Sequence, residues 1–357
     1  MAWDLLVDRA DLARTELVEV PTPRIGAGQA LLKVDRVGMT ANNVTYAVFG
    51  DAMRYWDFFP AEAPWGRVPL WGFGVVEHSA VPGLAEGTRL YGYYPTGSHL
   101  VVEPTKLDAR GFRDASAHRQ HLPTPYNGLT TTGEDPAYEA AREDLQVLYR
   151  PLFLTSFMLA DFLTDNDLFG AGTAVISSAS SKTAYGAAFL LQGRTRTVGL
   201  TSEANVGFTE SLGCYDQVLT YDEVGQLPTS RTVYIDVAGN AGVRRAVHEH
   251  LGEALVHSAV VGAAHHTAEP DLGGGAGSLP GARPTFFFAP DQMRKRYADW
   301  GPAGVEREHA AAWRRFAPVV EGWVEVILGT GPEALQADWL ETLAGQTRPR
   351  TGHVVQL

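Results

Sequence analysis

The alternation of apolar and polar residues changes its rhythm once along this chain, near residue 137. Before that point, short apolar runs such as QALLKVDRVGM (29–39) and RLYGYYPTGSHLVVEP (89–104) are broken by Gly, Pro and Asn clusters, which predicts strands joined by turns. After it, AYEAAREDLQVLYRPLFLTSFMLADFL (137–163) has a helical period with a break expected at Pro151. Alternation follows: TAVISSA strand, KTAYGAAFLLQG helix, TRTVGLTS strand, NVGFTESLG helix, then DQVLTYD, TVYIDVAG, the helix AGVRRAVHEHLG, and ALVHSAVVGAAH. Strands alternating with helices of this length predict βαβ units on a parallel sheet. A Gly/Pro-rich loop (269–284), a strand in TFFFAP, helices over 291–345 and a terminal strand in TGHVVQL complete the pattern, and no internal repeat is present.

Composition adds bounds. A length of 357 residues suits two domains, and 45% hydrophobic with 20% charged residues is ample for a packed core. The net charge of −12 argues against a nucleic-acid groove or an anionic membrane surface as the main partner, while leaving room for a local basic pocket. Cys214 is the single cysteine, so no internal disulfide and no cysteine cage for zinc can form. The first twenty residues lack an apolar h-region, and no run approaches 18 uninterrupted apolar residues, so a cytoplasmic protein without a membrane segment is expected.

Four stretches carry a resemblance to a known family: RVGMTANNVTYAVFG (36–50), VPLWGFGVVEHS (68–79), AVISSASSKTAYGAAFLLQ (174–192) and TVGLTSEANVGFTESLGCYDQVLTYDEV (197–224). Together with the order of elements they resemble the medium-chain dehydrogenase/reductase superfamily, in its zinc-free quinone-oxidoreductase-like and enoyl-reductase-like branch. The resemblance spans nearly the whole chain. It implies an α/β fold: a Rossmann-type, doubly wound parallel-sheet domain at 141–319 and a β-rich GroES-like domain at 1–140, completed by a return over 320–357. A homodimer is the assembly it implies. Thr40, Leu70 and Trp71 stand where zinc-dependent relatives place metal ligands, so no metal site is expected.

In a Rossmann unit the pyrophosphate rests on the first helix's N-terminus, and small residues let the backbone approach it. In the frame that fits the family's turn, Ser178, Ser181 and Ala184 replace glycines, and Lys182 and Thr183 stand where a phosphate would be met. The alternative is that Ser180 or Ser181 merely caps the helix and Lys182 is solvated. The second strand ends in Thr201 and Ser202, with Glu203 afterwards; Ser202, Asn205 and charge from Lys182 or Arg196 suit a 2′-phosphate, hence NADP(H). An inward Glu203 would favour NAD instead. Gly239 and Asn240 follow the fourth strand near the expected nicotinamide ribose, and Asp236 before them suits either the site or a structural acid. His265 ends the next strand and is a further cofactor candidate, with a capping role as the alternative.

Catalytic candidates lie in or beside an aromatic-dense segment (46–65), which reads equally as core packing or as a pocket wall. Asn43, Tyr46 and Tyr55 are the hydrogen-bond donors available to polarise a carbonyl, and a phenol, neutral at pH 7, suits proton donation. Phe49, Trp56, Phe58, Phe59 and Trp65 around them suit a small apolar or planar carbonyl substrate. The resemblance then implies NADPH-dependent reduction of an enone or quinone. Two alternatives stand beside it: a non-redox enzyme on this scaffold, and a ligand-binding protein without turnover.

Overall fold

A computed structural model describes residues 1–261 and 279–357. The chain divides into two compact units, Met1–Arg150 with Val324–Leu357, and Pro151–Trp323. The helix Glu143–Asp165 contributes residues to both.

The first unit is β-rich. Ala2–Asp8 pairs with Thr15–Val20 and Trp65–Gly66 in a three-stranded sheet. A nine-stranded sheet is organised around Ala30–Met39, which pairs antiparallel with Leu70–Ser79, His99–Val102 and Thr351–Gln356. The predicted terminal strand therefore exists. Glu325–Thr330, placed inside a helical region by the sequence pattern, is instead a strand parallel to Thr351–Gln356. The helix Gly331–Leu343 follows it directly, with Gly331 at φ +81° at the junction, and helical periodicity alone does not register so short a strand.

Pro151 does not break its helix, which runs through it from Glu143 to Asp165. Proline at 151 removes the N–H that would have bonded the Val147 carbonyl. That carbonyl faces Gly38, where an added Cβ would come within 2.7 Å of its oxygen, so the strand backbone packs directly on the freed group. By length and composition, 140–165 is long and apolar enough to cross a bilayer, with half of its most apolar window buried in the protein. Phe153 stacks on Phe316 at 4.6 Å, and Asp161 pairs with Arg296, contacts that belong to a core helix.

Among the described residues, the second unit holds six parallel strands: β1 (Thr173–Ser177), β2 (Arg196–Thr201), β3 (Gln217–Thr220), β4 (Thr232–Asp236), β5 (Leu255–Val260) and β6 (Pro284–Phe286). Their order is β3-β2-β1-β4-β5-β6, with every neighbouring pair parallel. The direction of strand addition reverses between β1 and β4, the switch point at which open α/β sheets place ligands. Helices α1 (Lys182–Leu191), α2 (Val206–Ser211) and α3 (Ala241–Leu251) follow β1, β2 and β4. Val175, Val198, Leu200, Leu219 and Tyr234 form a core that water does not reach, as buried parallel strands require. Gly186 lets α1 approach the helix Glu143–Asp165, since a Cβ there would meet Ser156 Oγ at 2.7 Å. Ser156 Oγ donates across this contact to the Thr183 carbonyl at 2.8 Å.

Candidate functional site

The C-terminal edge of the parallel sheet gathers Ser178, Ser181, Lys182, Thr183, Ser202, Asn205, Gly239 and Asn240, because each follows the end of β1, β2 or β4. Ser178 has φ +52°, the left-handed conformation that glycine adopts without cost. A serine thus occupies a glycine-like backbone state where the Rossmann turn needs one. Ser181 caps α1, its hydroxyl accepting the Ala184 N–H at 3.4 Å, and Ala184 itself is fully buried. The capping role of Ser181 is therefore realised, and its hydroxyl lone pair serves the helix.

The remaining serines are also tied into the fold. Ser177 Oγ donates to Asp236 Oδ1 at 3.0 Å and accepts the Val237 and Ala238 N–H groups, linking the ends of β1 and β4. Ser180 Oγ accepts from Asn205 Nδ2 at 3.3 Å, joining the first turn to the end of β2. Two tyrosines that flank β3, Tyr215 before it and Tyr221 after it, brace this turn. Tyr221 Oη accepts the Ser178 N–H at 3.2 Å, and Tyr215 donates to the Ala179 carbonyl at 2.9 Å. Gly199 is what lets Ala179 lie against β2, since a Cβ there would sit 2.8 Å from that of Ala179.

Lys182 is half-buried, and burial pushes its ammonium down to about 8. Thr183 is half-buried beside it. After β2, Ser202 is half-buried and Glu203 is exposed, so no acid is buried at the strand's end. Arg196 begins β2 rather than ending it, and its Nη2 donates to Gln217 Oε1. Four residues of strand separate it from Thr201, so the charge ascribed to Arg196 lies at the opposite edge of the sheet. Gly239, at φ +65°, donates its N–H to Asp236 Oδ1 at 2.9 Å. Asn240 caps α3 by accepting the Gly242 and Val243 N–H groups. Asp236 is a structural acid: its other oxygen accepts from Arg244 Nε at 2.7 Å, and both side chains are buried. His265 lies outside the described residues. Burial pushes the Cys214 thiol up to about 12, which leaves it protonated and inert near neutrality.

Within the β-rich unit, the helix Ala41–Val48 follows the strand Ala30–Met39 directly. Thr40 caps it, and Asn43 completes the capping box: its Oδ1 accepts the Thr40 N–H at 2.8 Å and its Nδ2 donates to the Pro69 carbonyl at 2.9 Å. Asn43 is buried and ties the start of this helix to the Pro69 backbone. The aromatic-dense segment is largely core, with Trp56, Phe58 and Phe59 buried. Tyr126, from the turn Thr124–Asn127, enters it and meets Tyr46, Tyr55, Phe58, Trp71 and Tyr93 at ring distances of 5.0–6.3 Å.

Within this cluster Tyr46 and Tyr55 are distinguishable. The hydroxyls of Tyr55 and Tyr126 meet each other at 3.3 Å. Tyr46 Oη accepts Asn42 Nδ2–H at 2.6 Å and Trp71 Nε1–H at 3.0 Å. Burial holds both phenols protonated, and at Tyr46 the Trp71 and Asn42 donors act in the opposite sense. Asn42 was missed by sequence reasoning, although its spacing of four from Tyr46 on a helix places the two on one face. Trp71, noted only as a replaced metal ligand, is the second partner.

A family model described as "Protein of unknown function (DUF2855)" matches residues 37–348. No curated protein matches the sequence. Solved structures similar to the chain include CurA from Vibrio vulnificus, at 15% identity and TM-score 0.59, covering 100% of this chain and 98% of that one. The quinone oxidoreductase from Thermus thermophilus matches at 16% identity and TM-score 0.58, over 99% and 100% of the two chains. Glucose dehydrogenase from Haloferax mediterranei matches at 13% identity and TM-score 0.60, over 99% of each. Full-length coverage shows the fold to be that of the medium-chain dehydrogenases/reductases. The chain belongs to the DUF2855 family, and it carries that fold from end to end.

Proposed function

We propose that this protein is an NADPH-dependent oxidoreductase that reduces an enone, a quinone or a related α,β-unsaturated carbonyl compound without zinc. The observation that carries the reading is the turn 177–184 at the sheet's switch point. Ser178 there holds a glycine-like backbone, Ser181 and Ala184 keep the surface small, and the α1 N-terminus follows. Such a turn suits a pyrophosphate bound by backbone N–H groups and the helix dipole. Lys182 adds a cation next to it. Ser202 and Asn205 after β2, with Glu203 exposed, suit a 2′-phosphate better than bare ribose hydroxyls. CurA from Vibrio vulnificus and the quinone oxidoreductase from Thermus thermophilus are both solved in complex with NADPH, which supports the same cofactor here.

When bound, NADPH would supply the hydride, and the protein would orient the reactants and manage the proton. The aromatic surroundings of Tyr46 suit a planar or apolar carbonyl compound.

One observation favours a second reading, a nucleotide-binding protein without hydride transfer. The Ser178 N–H and the Ser181 hydroxyl already have partners in Tyr221 and Ala184, which leaves fewer donors for phosphate. Titrating NADPH and NADH against tryptophan fluorescence and thermal stability, then following NADPH oxidation with enones and quinones, separates the two. Tighter binding of NADPH with oxidation is expected. No response at millimolar NADPH rejects the reductase, and binding without oxidation of any acceptor supports the second reading.

A further inference from the structure

We infer that a cavity of about 430 Å³ at the N-terminal edge of the parallel sheet binds a phosphate group through Arg194 and Arg196. Helix α1 ends at Leu191, Gly193 turns the chain at φ +73°, and β2 begins at Arg196. The turn 192–195 thereby carries Arg194 and Thr195 to the cavity wall. Gly213, at φ +63°, and Asp216 close the cavity from the approach to β3. Arg196 lies beside Thr173, the first residue of β1, whereas the turn 177–184 follows the last. The cavity is therefore separate from the site proposed for NADPH, and its size suits a small molecule.

Charge selects the ligand. The chain carries 41 acidic and 29 basic residues, yet among the described residues neither of these arginines pairs with a carboxylate. Arg194 is exposed and its guanidinium has no hydrogen-bond partner there, while Arg196 spends only Nη2, on Gln217 Oε1 at 2.9 Å. The acid on the wall, Asp216, is engaged within the fold, its Oδ2 accepting the Thr197 N–H at 2.7 Å and Thr197 Oγ1 at 3.2 Å. Helices α1 and α2 both end here, and their negative ends attract cations. Carbonyls at those ends already have donors, however. Leu191 accepts the Arg194 and Thr195 N–H groups, Gly213 accepts Gln192 Nε2, and Cys214 accepts Thr197 Oγ1. The helix ends thus account for the presence of the arginines and leave their guanidinium N–H groups open. Thr195 adds a buried hydroxyl with no partner among the described residues. Guanidinium forks match phosphate oxygens in geometry, and a phosphate monoester carries about two negative charges at pH 7, enough for both arginines.

The test titrates glycerol phosphate, inorganic phosphate and glycerol into the full chain by calorimetry, at constant ionic strength and without NADPH. Glycerol phosphate is expected to bind at millimolar concentration or below, and glycerol is expected not to bind. Arg194→Gln and Arg196→Gln should each weaken that binding about tenfold, the effect of losing one charge-assisted contact, and the double variant about 100-fold. Both side chains are exposed, so the variants should fold, and thermal melts check it. Inorganic phosphate binding at least as tightly as the ester assigns the site to the free anion, and weaker binding assigns it to an organic phosphate. Either result supports the inference. No binding of either phosphate, equal binding of glycerol, or an affinity unchanged in the double variant overturns it. Binding lost in Lys182→Met and kept in the double variant would place the phosphate at the α1 N-terminus and overturns it as well. Failure of NADPH to bind, with the phosphate result intact, rejects only the cofactor reading.

Discussion

Arg244 Nε lies 2.7 Å from Asp236 Oδ2, in an ion pair buried at the C-terminal edge of the parallel sheet. The opposite oxygen of Asp236 accepts from Ser177 Oγ and from the Gly239 N–H, so one carboxylate ties β1, β4 and the start of α3 together. Asp236→Asn would leave the Arg244 charge buried without its counterion, at a cost of about 3–5 kcal/mol. Urea unfolding should show that loss, and the double variant Asp236→Asn/Arg244→Met should recover part of it. Equal stability of Asp236→Asn and wild type would refute the role given to this pair.

Lys182 carries a pH-dependent expectation. Burial lowers its pKa to about 8 from 10.5, so between these values the unfolded chain binds more protons and stability rises with pH. Lys182→Met should therefore be more stable than wild type at pH 7, by about 1–2 kcal/mol once the water-accessible part of the side chain is discounted. The difference should vanish by the upper end of that window. NADPH affinity should fall in the wild type as pH passes about 8, and the variant should lack that step. Thermal melts and fluorescence titrations across the range read both effects.

His353 behaves in the opposite sense. It is buried with Nδ1 2.9 Å from Asp338 and Nε2 3.3 Å from Glu341, and the Asp338 carboxylate leads the causes that raise its pKa. Its contribution is complete below the ordinary histidine pKa and is lost as pH rises through the raised value. Stability should fall across that interval, and His353→Gln should flatten the dependence. An identical pH profile for the variant would show that the two carboxylates do not hold an imidazolium there.

Gly186→Ala tests the close approach of α1 to the helix Glu143–Asp165. Alanine is the better helix former by about 1 kcal/mol, so a helix free on that side would gain. Here the new methyl meets Ser156 Oγ at 2.7 Å, a crowding that costs about 1–3 kcal/mol. A lower melting temperature is expected, and a higher one would mean that the helices separate without penalty.

The second unit was largely legible because alternation of strand and helix is written in local periodicity. β1, α1, β2 and α3 fall where apolar runs and small polar turns put them. The strand Glu325–Thr330 was not, since its pairing partner Thr351–Gln356 lies distant in sequence and its own pattern is mostly exposed. The uninterrupted passage through Pro151 was equally hidden, because it depends on Gly38 packing against a carbonyl from another element. At the candidate site, positions were readable and partners were not. That Ser181 caps α1 follows from local sequence, whereas Tyr221 on Ser178 and Trp71 on Tyr46 are contacts that only folding brings together.

The left-handed Ser178 has a consequence for the unfolded chain. A serine held at φ +52° carries a backbone penalty of about 1–2 kcal/mol that glycine would avoid. A glycine in its place would instead enlarge the disordered ensemble and lose about 0.4–1 kcal/mol more conformational entropy on folding. The two terms partly offset each other, so replacing glycine here sacrifices little stability. Tyr221 and Tyr215 then fasten the turn from the far side of β2. A loop built this way has surrendered its freedom during folding, and a ligand arriving at it has little disorder left to quench.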